Sequence, residues 1–131
     1  MRFLFLLLSC VMALLPLRAQ ERREMKGAHI AFEQTEHDFG EVSRKGEDKS
    51  CTFRFINDGT EPLVVLSATT SCSCLKTDFS RKPIGVGESG EIRLVLESKK
   101  MEKGMFRRIV QIRSTSITGT EILTIKGISK E

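Results

Sequence analysis

Between residues 50 and 56 apolar and polar positions alternate: Cys51, Phe53 and Phe55 fall on one side of an extended backbone, Thr52 and Arg54 on the other. Successive side chains of a strand point to opposite faces, so this pattern predicts a half-buried strand, closed by the turn signal Asn57-Asp58-Gly59. Residues 91–97 repeat it, with Ile92, Leu94 and Leu96 facing the core and Glu91, Arg93 and Glu97 facing water. Residues 63–66 are apolar on both parities, which predicts a central or loop-covered strand of unfixed register. Two further strands, residues 106–114 and 122–128, flank Thr118-Gly119, where Gly119 supplies the positive φ of a hairpin turn. Ile30, Phe32 and Phe39 mark one or two strands ahead of the polar loop 43–48, and Pro83, Gly85 and Gly87 mark another loop. No helix-period stretch competes. Short Val/Ile/Phe/Thr-rich segments spaced by turn signals about every 8 to 12 residues predict an all-β, antiparallel domain of about seven strands.

The first residues follow a different rule. Arg2 precedes an apolar run from Phe3 to Leu17 broken only by Ser9 and Cys10, and Arg18-Ala19-Gln20 follows. That is the layout of a secretory signal, and its 15 residues fall short of the about 20 that span a bilayer as a helix. The small residue Ala19 favours cleavage between Ala19 and Gln20. The alternative is the box Leu7-Leu8-Ser9-Cys10, which would lipidate Cys10 and leave residues 11–17 as an apolar stub. The expected organisation is a signal peptide at 1–19, a charged tether at 20–28 and one domain at 29–131, exported to the periplasm and, once cut after Ala19, without a membrane span.

Several blocks of this sequence together resemble a known family. His37-Asp38-Phe39-Gly40-Glu41-Val42, Phe53-Arg54-Phe55-Ile56-Asn57-Asp58-Gly59 with Pro62-Leu63, Ser71-Cys72-Ser73-Cys74, Pro83-Ile84 with Gly87-Glu88-Ser89-Gly90, and Ile125-Lys126-Gly127 resemble the bacterial domain-of-unknown-function family 1573. The resemblance covers residues 36–127 and implies an exported immunoglobulin-like β-sandwich of the pilus-chaperone and major-sperm-protein type, with no established activity. The family usually has Gly between its paired cysteines and Pro before the Gly-Glu, where this chain has Ser73 and Val86. Ser73 makes a positive-φ turn between the cysteines less comfortable.

Charge adds little. The chain carries +4, which becomes +2 once Arg2 and Arg18 leave with the signal, and its basic residues are interleaved with acidic ones. This argues against nucleic acid as a partner. The two histidines, His29 and His37, lie near the mature N-terminus outside any catalytic signature, no carboxylate pair stands out, and no phosphate loop or calcium loop is present. The sequence therefore predicts no enzyme and no cofactor.

The cysteines are the remaining candidates for chemistry. After export the chain keeps Cys51, Cys72 and Cys74, an odd number, so full pairing within one chain is excluded. Parity points Cys51 into the core. Cys72 and Cys74 sit among Thr69, Thr70, Ser71 and Ser73, where thiols are accessible. Three readings stay open: a structural pair, bridged locally or to Cys51; a reducible Cys72–Cys74 disulfide with a redox role, with Lys76 as the nearest base to favour a thiolate; and a soft two-thiolate pincer for a copper ion. The functional expectation is a non-catalytic interaction or structural module of the cell envelope that meets other envelope proteins through a sheet edge. Its alternative is a thiol redox or copper-handling protein using Cys72 and Cys74.

Overall fold

A computed structural model describes residues 26–131. The expected signal peptide, its expected cleavage site at Ala19 and Gln20, and the lipidation alternative at Cys10 lie outside the described residues.

Eight strands form two packed sheets: β1 (Ile30–Phe32), β2 (Glu36–Ser43), β3 (Lys49–Asn57), β4 (Val65–Thr69), β5 (Leu75–Phe79), β6 (Ser89–Leu96), β7 (Gly104–Ser114) and β8 (Thr120–Lys130). Sheet I runs β1-β3-β6-β5 and sheet II runs β2-β8-β7-β4. All pairs are antiparallel except β2 with β8, which is parallel. The purely antiparallel expectation is corrected at this pair. After β1 the chain leaves sheet I, crosses to sheet II at residues 33–35 and meets β8 running the same way.

The period-two patterns meet the core as the sequence reads. Cys51, Phe53 and Phe55 of β3 and Ile92, Leu94 and Leu96 of β6 are all buried, with Thr52 and Arg54 exposed on the other face. They pack against Val110 and Ile112 of β7 and Leu123 and Ile125 of β8 in one hydrophobic cluster. β7 and β8 form the final hairpin, closed at Gly119 with φ 73°.

Three features depart from expectation. Residues 63–66 are not a central strand: Leu63 pairs only with Ile84, β4 starts at Val65 on the edge of sheet II, and a register shift between Val65 and Ser67 leaves Leu66 46% exposed. Strand β5 brings the count to eight; Leu-Lys-Thr-Asp-Phe holds only two strongly apolar residues, too few to show a period. Finally, the packed structure starts upstream of residue 29. Ala28 is buried, the Gly27 amide donates to the Thr60 hydroxyl, and the Gly27 carbonyl accepts from the Thr60 amide.

Asn57 is the organising residue at this end. It is fully buried; its Oδ1 accepts from the Gly59 and His29 amides and its Nδ2 donates to the Glu61 and Ile84 carbonyls. One side chain thereby ties together three loops that lie far apart in sequence. A Cβ on Gly59 would come within 2.3 Å of the Gly27 carbonyl oxygen, which is why the third residue of this turn has no side chain.

Candidate functional site

The paired cysteines lie in the bend between β4 and β5. The Leu75 amide donates to the Cys72 carbonyl at 3.3 Å, closing a four-residue turn with Ser73 and Cys74 at its centre. The turn draws the Cys72 and Cys74 α carbons to 5.1 Å, and a disulfide joins them. An extended chain would hold residues two apart at about 6.6 to 6.8 Å, the outer limit for such a bond, so the bend makes the bridge reachable. Ser73 needs no left-handed backbone: no residue other than glycine has positive φ among the described residues. The expected discomfort of a serine between the cysteines is therefore absent.

The two sulfurs differ in environment. Cys74 is 1% exposed and anchored from its carbonyl, which accepts from the Glu97 amide at 2.7 Å. Cys72 is only partly buried, and its sulfur accepts from the Cys74 amide at 3.3 Å. It opens onto a shallow hollow of about 280 Å³ lined by Ser71, Ser73, Lys100, Met101, Glu102 and Arg108. Lys76, the base nearest in sequence, is not part of that lining; it pairs with Glu97 at 3.0 Å, and Lys100 binds the same carboxylate at 2.8 Å. Those two ammonium groups hold the Glu97 carboxyl below its usual value, chiefly through the hydrogen bond from Lys100. Arg108 arrives from β7, 36 positions after Cys72, and nothing in the local sequence points to it.

Cys51 belongs to neither sulfur. It lies on β3, with β6 between it and β5, and two inter-strand spacings of about 9.5 Å exceed any disulfide span. The reading of a bridge from Cys51 is thus corrected. Burial pushes its thiol up to about 11. For a metal, the disulfide form of Cys72 and Cys74 offers no thiolate, and among the described residues no group of three or more His, Cys, Asp or Glu side chains converges. The histidines take structural places: His29 pairs through Nδ1 with Asp58, and His37 packs edge-on against Phe39 at 4.6 Å.

The sheet edges fall into two kinds. At one side of the sandwich β4 and β5 face each other, and the Thr77 hydroxyl donates to the Ala68 carbonyl at 3.3 Å across the gap. At the other side, β2 carries Glu36, Asp38 and Glu41 and a register shift between Asp38 and Glu41, devices that discourage strand addition. Next to it, β1 covers only Phe55, Ile56 and Asn57 of β3, with one further bond from the Glu33 amide to the Arg54 carbonyl. Backbone groups of alternate residues point the same way, so the N–H and C=O of Ser50 and Thr52 face outward with no backbone partner among the described residues. Arg107, Arg108 and Arg113 protect neither edge. They lie on β7, which is paired on both sides, and Arg108 turns to the cysteine hollow instead.

A two-sheet sandwich with this strand order has an immunoglobulin-like fold. The chain belongs to the family described as protein of unknown function (DUF1573), matched over residues 30–129. No curated protein matches it in sequence. Among solved structures it is similar to a protein of unknown function from Porphyromonas gingivalis W83 (19% identity, TM-score 0.70), covering 80% of this chain and 48% of that one, so it spans about half that protein's length. It is also similar to PapD-like domain 7 of human CEP192 (10% identity, TM-score 0.60, 80% and 87% covered) and to the YadV chaperone (12% identity, TM-score 0.57, 78% and 52% covered). At these identities the likeness concerns the fold. No helix of the described residues is long and apolar enough to cross a membrane.

Proposed function

We propose that this protein is an exported, non-catalytic interaction module of the bacterial cell envelope, released by cleavage after Ala19, that holds an extended segment of a partner protein against the uncovered half of β3. The observation that carries this reading is the outward-facing, unpartnered backbone of Ser50 and Thr52, continuous with the line of β1. An extended segment placed there would continue the strand that β1 begins, giving main-chain hydrogen bonds to both residues. The similarity in fold to a chaperone, YadV, and the secretory pattern of residues 1–20 support an envelope location.

The test is a photo-crosslinking side chain placed at Thr52 and, as a control, at Thr77, in cells producing the full chain. Adducts at position 52 that map to one extended segment of a partner, and that disappear in Ser50→Pro, support the reading, because proline removes an edge N–H while tolerating an edge position. Equal adducts at positions 52 and 77, or adducts that survive Ser50→Pro, would sink it. The intact mass of the purified native chain checks the export step: a chain beginning at Gln20 is expected, and one acylated at Cys10 would move the module to a membrane surface.

A further inference from the structure

We propose that the Cys72–Cys74 disulfide is a thiol–disulfide exchange site that accepts two electrons from an exported dithiol, with Cys72 as the sulfur that forms the mixed disulfide. This is a stoichiometric chemistry separate from strand binding, at the opposite side of the sandwich from Ser50 and Thr52.

Three observations lead there. The first is asymmetry of access: Cys74 is sealed in the core while Cys72 opens onto the polar hollow, so an incoming thiolate reaches only one sulfur. The second is a backbone donor, the Cys74 amide, aimed at the Cys72 sulfur, which stabilises negative charge there when Cys72 is released from the mixed disulfide. The third is charge. Lys100 and Arg108 line the hollow with one carboxylate, Glu102; Lys100 is already bound to Glu97, whereas Arg108 forms no ion pair among the described residues and spends one N–H on the Arg107 carbonyl. A guanidinium without an ion-pair partner, lining the same hollow as a reachable sulfur, draws a thiolate in and favours the Cys72 thiolate, and a stabilised reduced form makes a disulfide a better oxidant.

The reaction balances without a further reagent. A client thiolate attacks Cys72 Sγ, a new sulfur–sulfur bond forms, and the electron pair of the old bond leaves on Cys74 Sγ, which takes up the proton that the attacking thiol gave up. The second client thiol, deprotonated, attacks the client sulfur of the mixed disulfide and releases Cys72 as a thiolate, which takes up the proton that this second thiol gave up. The client dithiol becomes a disulfide, and the chain becomes a dithiol.

The experiment uses the native chain and reduced glutathione as the probe thiol. After brief reaction near pH 7, acid quench and peptide mapping, the adduct should lie on Cys72 in more than about tenfold excess over Cys74, with the circular dichroism of the folded sandwich unchanged. Cys74→Ala should accumulate a stable adduct with oxidised glutathione, and Cys72→Ala should not. Arg108→Gln should slow adduct formation several-fold at low salt, and Arg108→Lys should restore most of the rate, a recovery that a merely structural role would not show. Free Cys72 and Cys74 thiols in freshly exported protein, equal adducts on both sulfurs, reduction only in step with unfolding, or a reduced chain that holds stoichiometric copper(I) and does not exchange with glutathione would each overturn the proposal.

Discussion

The two sides of this sandwich deal with sheet edges differently. Where β4 and β5 meet, a single side-chain hydrogen bond from Thr77 to the Ala68 carbonyl links the sheets, and the disulfide fixes the bend just before β5. Where β1 gives way to β2, the first strand switches sheets and leaves half of β3 without a neighbour. On one side two edge strands face each other across the sheets, joined by a side-chain hydrogen bond and preceded by a covalent turn, while on the other, half of one strand has no neighbour on its outer side. Closure needs few atoms when two edges already lie opposite each other, and a switched strand leaves an opening because three residues of β1 cannot cover nine of β3.

The largest effect should come from β6, which both sides share. Leu94 is fully buried and stands in register with Cys51 of β3 and Thr77 of β5. Leu94→Asp places a carboxylate in that core at a cost of several kcal/mol, enough to unfold the domain, whereas Arg93→Asp, one residue away on the wet face, should leave the melting curve nearly in place. Circular dichroism of both variants checks the pair.

Next in size is the open side's anchor. Asn57→Ala removes four hydrogen bonds and leaves the partly buried His29 and Gly59 amides without this acceptor, so a loss of about 3 kcal/mol in urea denaturation is expected. The damage should concentrate at β1: backbone exchange should quicken at residues 28–32 before it quickens in β4 and β5. Uniform acceleration would show that the two sides unfold as one unit.

The closed side should respond more weakly. Thr77→Val keeps the shape and removes the hydroxyl, for an expected loss of about 1 kcal/mol, read as faster amide exchange in β4 and β5 with β1 unchanged. The smallest effect is electrostatic. Hydrogen bonds from Lys100 and Lys76 hold the Glu97 carboxyl below 4.5 when folded. A depressed folded pKa contributes stability that is present above the unfolded value and lost as pH falls through the folded one. The stability difference between wild type and Glu97→Gln should stay flat from neutral pH to about pH 5 and shrink below 4.5; a difference that grows in acid would contradict the ion triad.

Sequence alone determined what local period and turn chemistry can carry. Cys51, Phe53, Phe55, Ile92, Leu94 and Leu96 face inward because alternation admits only one buried face, and Gly119 closes the last hairpin because it supplies a positive φ. The likeness of its blocks to a family of unknown function was legible for the same reason, since those blocks are the turns and core positions of the fold. Only the tertiary structure decided the rest. Asn57 reads as one residue of a turn, yet its four bonds reach loops whose proximity no local pattern encodes. The parallel partner of β2, the uncovered half of β3 and the arrival of Arg108 beside Cys72 all depend on which strands become neighbours. Alternation fixes the face a side chain takes, but pairing across the sandwich is set by how both sheets together bury their apolar faces, and that is a property of the whole chain.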